Sequence, residues 1–201
     1  EEFVPHEARW REQHRVDSEA WTKAGATGLL LTDVPEEYGG GGGDFTHETV
    51  VMEELAYAGV NFGSGVHSIV AHYILDYGSE EQKKNWLSRM ATGEIVGAIA
   101  MTEPIAGSDL QNIKTMARRD GDDYVISGSK TFITNGWHAG IIVLAVKTSA
   151  VEGAKGISLV VVETKGLAGY RVGRTLEKIG MHGQDTCELF FDEVRVPASN
   201  L

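Results

Sequence analysis

Cysteine occurs once in the 201 residues, at Cys187. A single thiol excludes an internal disulfide and any cluster of thiolate ligands, and it fits a reducing compartment. Proline is low at four residues. Basic residues are short: 18 Lys and Arg face 29 Asp and Glu, for a formal net charge of −11. That balance argues against a general nucleic-acid binder, which needs a basic face to displace counterions. A phosphate-bearing ligand stays open, because backbone N–H groups and a few cations bind phosphate locally. No window of eighteen apolar residues exists, so no membrane-spanning helix is expected. The start, Glu1-Glu2-Phe3-Val4-Pro5, is acidic and is not a signal peptide. It has no methionine, and the last residues, Val196 to Leu201, read as a linker. Together these features lead us to expect a trimmed chain.

Common catalytic motifs are missing as well. The glycine run Gly39 to Gly43 does not complete G-x-G-x-x-G, because Asp44 and Phe45 fall where the last glycine belongs. It reads as a surface turn. Neither Lys130 nor Lys155 completes a phosphate loop of the G-x-x-x-x-G-K type, and no G-x-S-x-G elbow occurs. His47-Glu48 lacks the second histidine of H-E-x-x-H, and His67 and His72 are five apart, a poor metal pair. The seven histidines read as surface or packing residues, with His182 the one to watch because it falls in a motif described below.

What is present is ordinary for a globular protein: 42% apolar and 23% charged residues. The length suits one large domain or two small ones, enough to bury a core without staples. The pattern changes near residue 95. Before it, helical spacing predicts a helix from Pro5 to about Arg15 around Trp10, and a second, capped by Asp17 or Ser18, through Trp21 and Ala24. A third spans Thr46 to Ala58 with an apolar face of Val51, Leu55 and Ala58. A fourth spans Val66 to Tyr77 with Ile69, Val70, Tyr73 and Ile74. Ser79-Glu80-Glu81-Gln82 is a capping box opening a fifth, which carries Trp86, Leu87 and Met90 and ends at Gly93.

Beyond residue 95 short strands are expected at Ile95–Thr102, Lys114–Arg119, Tyr124–Ser127, Lys130–Thr134, Ile141–Lys147, Ile157–Glu163, Cys187–Asp192 and Val194–Val196. Asp120-Gly121 marks a hairpin. Many short strands with glycine turns imply an antiparallel barrel or sandwich. The fold class is thus α+β: an all-α domain over 1–94, then an all-β domain over 95–201.

The segment Ala98-Ile99-Ala100-Met101-Thr102-Glu103-Pro104-Ile105-Ala106-Gly107-Ser108-Asp109-Leu110 carries the chemistry. An apolar strand ends at Thr102 in a turn held by Pro104 and freed by Gly107, with hydroxyls at Thr102 and Ser108. Such a turn can face a polar ring or a phosphate. On the residues alone, an ordinary strand and turn is the favoured reading.

This segment resembles the acyl-CoA dehydrogenase signature, a strand leading into T-E-P-G-A-G-S-D. Further stretches agree: Gly128-Ser129-Lys130-Thr131-Phe132-Ile133-Thr134-Asn135-Gly136 is similar to G-x-K-x-[WF]-I-T-N-[GA]. Lys178 to Thr186, Leu189 to Pro197 and Pro35 to Gly40 resemble other characteristic stretches of the family. The resemblance covers essentially the whole chain and leans toward the long-chain branch. It implies a helical domain and a middle β-barrel domain, without the family's C-terminal four-helix domain.

The resemblance further implies FAD as cofactor. Ile99, Ala100, Met101, Thr102, Gly107 and Ser108 would border it, with the Thr102 hydroxyl near flavin N5. Phe132, Ile133 and Thr134 would lie against the flavin, though Phe132 also suits a core position on a strand. Substrate contacts would come from Ser108, Ala154, Lys155 and Gln184, with Lys155 equally suited to a solvated loop. Relatives have glycine where this chain has Ile105; a β-branched residue resists positive φ, so either the turn does not need that angle or the loop differs.

The implied reaction removes the α-proton of an acyl-CoA thioester and passes a β-hydride to the flavin, giving a trans-2-enoyl-CoA. Electrons would leave to an electron-transfer flavoprotein. The base is expected beyond Leu201, and Glu103 reads as structural, so the chain alone is expected to be inactive. The resemblance also implies a homotetramer or dimer at full length, in a bacterial cytoplasm or a mitochondrial matrix. Rival readings are an acyl-CoA oxidase, and a silent fragment binding acyl-CoA or a partner without flavin. No metal is expected.

Overall fold

The computed structural model describes residues 2–150 and 153–201. Backbone contacts divide the chain into two units: residues 1–97 with 177–185, and residues 98–176 with 186–201.

The first unit is helical, and its helices form where caps and apolar spacing coincide. A single 3-10 turn leads into α1 (Glu7–Gln13), whose Trp10 is buried; His14, in the left-handed region at φ 58°, ends it. α2 (Ser18–Ala26) buries Ala20, Trp21 and Ala24. Asp17 stands at its N-cap without capping it: the carboxylate is taken by Arg9, at 2.8 Å, and by Gln13. α3 (Phe45–Tyr57) has a capping box absent from the sequence reading, in which Asp44 accepts from Thr46 N–H and His47 Nδ1 accepts from Asp44 N–H.

The expected apolar face of α3 is not buried. Val51 and Leu55 are half-buried, Ala58 is exposed, and Glu48 is the buried residue of the helix, its carboxylate accepting from the Thr32 hydroxyl at 3.0 Å. Burial, opposed by that hydrogen bond, pushes the Glu48 carboxyl up. In α4 (Ser64–Tyr77) the buried stripe is His67, Val70, Ala71 and Ile74, at i, i+3, i+4 and i+7. Ile69 lies off it and is half exposed, so the expected face was rotated by part of a turn. The reason is His67, a polar residue that the core accepts because both ring nitrogens are bonded. Nε2 donates to Met90 C=O at 3.0 Å and Nδ1 accepts from Gly97 N–H at 2.9 Å. α5 (Glu80–Ala91) opens on the expected Ser79–Gln82 capping box and buries Trp86, Leu87 and Met90. Gly93, at φ 71°, follows it.

The glycine run is more than a surface turn. N–H groups of Gly40, Gly41, Gly42 and Gly43 donate to the carbonyls of Pro35, Leu31, Val34 and Thr32. The two backbones lie so close that a Cβ on Gly40 would sit 2.2 Å from the Val34 carbonyl oxygen.

The second unit holds one curled, half-barrel sheet of seven strands. The strands are β1 (Val96–Ala100), β2 (Met116–Asp120), β3 (Asp123–Thr134), β4 (Ala139–Lys147), β5 (Ile157–Glu163), β6 (Tyr170–Thr175) and β7 (Thr186–Pro197). The order is β1-β4-β2-β3-β7-β6, with β5 on β4. β2 with β3, β3 with β7, β4 with β5 and β6 with β7 pair antiparallel, while β2 and β4 meet in parallel at Met116 and Lys147. The Asp120-Gly121 hairpin forms as expected, with Gly121 at φ 63°.

Two pairs of expected strands prove continuous. Tyr124–Ser127 and Lys130–Thr134 merge into β3 across Gly128, and Cys187–Asp192 and Val194–Val196 merge into β7 across Glu193. The breaks in pattern are bulges in the pairing of β3 with β7. Strand β6 was not expected from its sequence. Ala98, Ile126, Ile133, Leu144, Val160, Cys187, Leu189 and Phe191 fill the core.

Burial lowers the His67 pKa from 6.5 to about 4 against the opposing bond to Met90. The folded state therefore favours neutral imidazole. That stabilisation is present above pH 6.5 and is lost as pH falls toward 4. His67→Gln should flatten the acid limb of unfolding stability over this window in urea titrations; an unchanged slope would refute the assignment. Gly40→Ala should lower stability by roughly 2–4 kcal/mol, because backbone meets the added methyl. An unshifted urea midpoint would show that the segment is free to relax.

Candidate active site

The strand-end segment of the second unit is built from β1, the turn after it, and the end of β3. Glu103 N–H donates to Ala106 C=O at 2.9 Å and Ala106 N–H returns to Glu103 C=O at 3.1 Å, closing a four-residue turn with Pro104 second. Ile105 is 71% exposed and has no positive φ. The turn thus does not need the angle that glycine would supply, which resolves the departure noted at this position.

Thr102 and Phe132 are held side by side by the backbone: Thr131 N–H donates to Thr102 C=O at 2.9 Å. Phe132 has φ 59° and is 67% exposed. It occupies the register shift between Lys130 and Ile133, where a bulge interrupts the pairing of β3 with β7. A left-handed aromatic residue costs on the order of 1–2 kcal/mol, and strain of this kind gathers at sites where it serves a ligand. An exposed, strained aromatic is therefore not the core residue its strand position alone allowed.

The remaining expected residues fall into three groups. Thr102, Ser108 and Thr134 carry hydroxyls with no hydrogen-bond partner among the described residues, and Gly107 and Ser108 are exposed. A Cβ on Gly107 would meet nothing within 4 Å, so the chain itself does not require glycine there. Ala100 and Ile133 are buried in the sheet core, which leaves only their backbone to meet a ligand; Ile99 and Met101 are half-buried. Ala154 and Lys155 lie in the 3-10 turn Gly153–Gly156, exposed, and this turn packs near the Leu110–Asn112 turn that follows Ser108.

Gln184 belongs to the helical unit. It lines a largely apolar cleft of ≈ 620 Å³ with Phe45, Met52, Ile69 and Met181. His182, also in that unit, lies with its ring 6.3 Å from that of His14.

The feature that sequence reading missed is the partner of Glu103. Lys130 is buried, and its Nζ donates to Met101 C=O and to Glu103 Oε1, both at 2.9 Å. The same carboxylate accepts from the Thr115 N–H and hydroxyl and from the Lys114 N–H. Burial pushes the Glu103 carboxyl up, but the bonds from Thr115, Lys114 and Lys130 outweigh it and leave the pKa lowered. Burial depresses the Lys130 pKa, with Glu103 opposing. Glu103 is thus an ionised, fully engaged structural carboxylate, in line with its sequence reading. The Lys130 partner was hidden because 27 residues separate the two.

This arrangement offers an exposed aromatic face, free hydroxyls and an exposed turn at one strand end. These donors and this surface fit a large planar ring carrying phosphates, and the described residues hold no cluster suited to a metal ion.

Comparison with known proteins agrees. Residues 1–94 match the family described as acyl-CoA dehydrogenase, N-terminal domain, and residues 98–194 match its middle domain. The chain is 49% identical over its whole length to the long-chain specific acyl-CoA dehydrogenase, mitochondrial, of Sus scrofa, and covers 47% of that protein. It superposes with a TM-score of 0.94 on the acyl-CoA dehydrogenase of Geobacillus kaustophilus, at 49% identity, covering 100% of this chain and 54% of the other. A glutaryl-CoA dehydrogenase from Mycobacterium smegmatis, solved in complex with FADH2, gives a TM-score of 0.88 at 32% identity, covering 99% and 52%. The chain spans about half the length of the curated relatives it matches. With both matched domains in order over nearly its full length, the chain belongs to the acyl-CoA dehydrogenase family.

Proposed function

We propose that the chain forms the FAD- and substrate-binding front part of an enzyme that dehydrogenates acyl-CoA thioesters to trans-2-enoyl-CoA. The division is a helical domain over 1–94 and a middle β domain over 95–201. The observation that carries the reading is Phe132, exposed and left-handed beside the free hydroxyls of Thr102 and Thr134.

On this reading Ile99 to Thr102, Gly107, Ser108 and Phe132 to Thr134 hold FAD. Thr102, Ser108 and Thr134 donate hydrogen bonds, and Phe132 gives the ring an apolar face. FAD, when bound, accepts the hydride. Ser108, Ala154 and Lys155 contact the CoA part of the substrate, with the Lys155 ammonium suited to its phosphates. Gln184 contacts the substrate as well.

No residue of the turn is free to act as base. The Glu103 carboxylate is buried and occupied by Lys114, Thr115 and Lys130. The base belongs to the part of the relatives' length that this chain does not span. Electrons pass to an electron-transfer flavoprotein, the working form is a homotetramer or dimer, and the site of action is a bacterial cytoplasm or a mitochondrial matrix. No helix of the described residues is long and apolar enough to cross a membrane.

The full-length protein mixed with FAD and freed of excess should keep a visible flavin band; a folded, colourless full-length protein would overturn the reading. Two variants separate ligand contact from folding. Phe132→Gly relieves the backbone strain, so its melting temperature should hold or rise while flavin retention drops. Gly107→Ala adds a methyl that meets only solvent or ligand, so stability should stay within about 0.5 kcal/mol while flavin binding weakens. Equal flavin affinity in both variants would show that neither position touches it.

A further inference from the structure

We propose that Glu103 and Lys130 are positioning residues: their ion pair, buried beneath the turn after β1, fixes Thr102 and Phe132 in the geometry that receives the flavin. The inference rests on the reading of that segment as the FAD site.

The pair ties three stretches of chain at one point. Lys130 Nζ is shared between the Met101 carbonyl and the Glu103 carboxylate, at 2.9 Å each. Glu103 reaches from the turn to the start of β2 through the Lys114 and Thr115 N–H groups and the Thr115 hydroxyl, at 2.6, 2.9 and 2.6 Å. One residue after Lys130, the Thr131 N–H holds Thr102 C=O. One residue further, the chain turns left-handed and puts the Phe132 ring outward.

The bulge at Phe132 therefore has a fixed anchor before it, Lys130, and the buried Ile133 after it. An ordinary strand would carry Phe132 through the bulge in its relaxed, extended conformation. The anchors hold it out of that conformation. Both members of the pair are almost completely removed from solvent, with side-chain exposures of 0% for Lys130 and 3% for Glu103. A buried ion pair is seldom more stabilising than well-packed apolar residues of the same volume. What it adds is direction: the ammonium and the carboxylate accept partners only at set angles, so Met101, Glu103 and Lys130 share one arrangement. Neither group touches the exposed face, so the pair acts through Thr102 and Phe132 and not on ligand directly.

The test uses the full-length protein purified with its flavin, and compares Lys130→Met with Val160→Ala. Val160 is a core residue of β5 outside the proposed site and serves as a control for simple loss of stability. Lys130→Met should weaken flavin binding roughly ten- to a hundredfold, the range found when a supporting contact behind a binding group is lost. It should also change the visible circular dichroism of the retained flavin and speed amide hydrogen exchange at residues 102–106 and 131–134. Val160→Ala should lower the melting temperature yet leave flavin affinity and circular dichroism unchanged.

If Lys130→Met loses stability but keeps the unmodified flavin affinity and circular dichroism, the pair is merely structural and the proposal fails. If the unsubstituted protein holds no flavin, the site reading fails. Hydrogen exchange then decides the positioning claim by itself: faster exchange at 102–106 and 131–134 in Lys130→Met supports it, and unchanged exchange overturns it.

Discussion

A buried lysine needs a fixed negative partner, and in this chain that need organises the strand-end segment. Lys130 comes from the middle of β3 and points into the sheet, where an unpaired ammonium would be costly. Glu103 meets it from the turn after β1, and brings the start of β2 with it through Lys114 and Thr115. Three segments distant in sequence are thereby placed in one register. The exposed features of the segment, the Pro104-Ile105 turn and the Phe132 bulge, are the outer side of that junction.

The sequence made parts of this legible and hid others for definite physical reasons. Local chemistry was readable. The Ser79–Gln82 capping box, the Asp120-Gly121 hairpin and the helix end near Gly93 each depend on neighbours in the chain. Faces were less readable, because a periodic stripe states which residues could be buried and not whether anything covers them. Val51, Leu55 and Ala58 form such a stripe on α3, yet its buried residue is Glu48. On α4 the stripe turned because His67 replaces an apolar residue with a bonded polar one. Strand β6, Tyr170–Thr175, escaped because two arginines and a glycine interrupt any alternation of apolar residues.

The candidate site divides along the same line. The motifs from Ala98 to Leu110 and from Gly128 to Gly136 pointed to it through resemblance, and the structure brings Thr102 and Phe132 together as neighbours in space. No property of Phe132 in the sequence announced its left-handed backbone. That conformation follows from a bulge, and a bulge is a mismatch between two strands nearly sixty residues apart. The Glu103–Lys130 pair was invisible for the same reason. The free conformation of Ile105 likewise depends on the closed turn around it and not on its own preferences.

On the proposed reading, a chain of net charge −11 has to hold two ligands that both carry phosphates. Few basic side chains stand among the proposed contacts. Lys155 is the one cation among the proposed ligand contacts, and it stands on an exposed turn. Lys130, buried beneath the turn, is already committed to Glu103. Recognition then falls to neutral donors: the hydroxyls of Thr102, Ser108 and Thr134 and the backbone N–H groups of the exposed turn other than those of Glu103 and Ala106, which close it. Such groups bind by direction more than by charge, so they work only when their backbone is fixed. The scarcity of cations among the proposed contacts and the presence of a rigid buried junction are in this sense one design, since a site with little charge to draw its ligands in must be already shaped when they arrive.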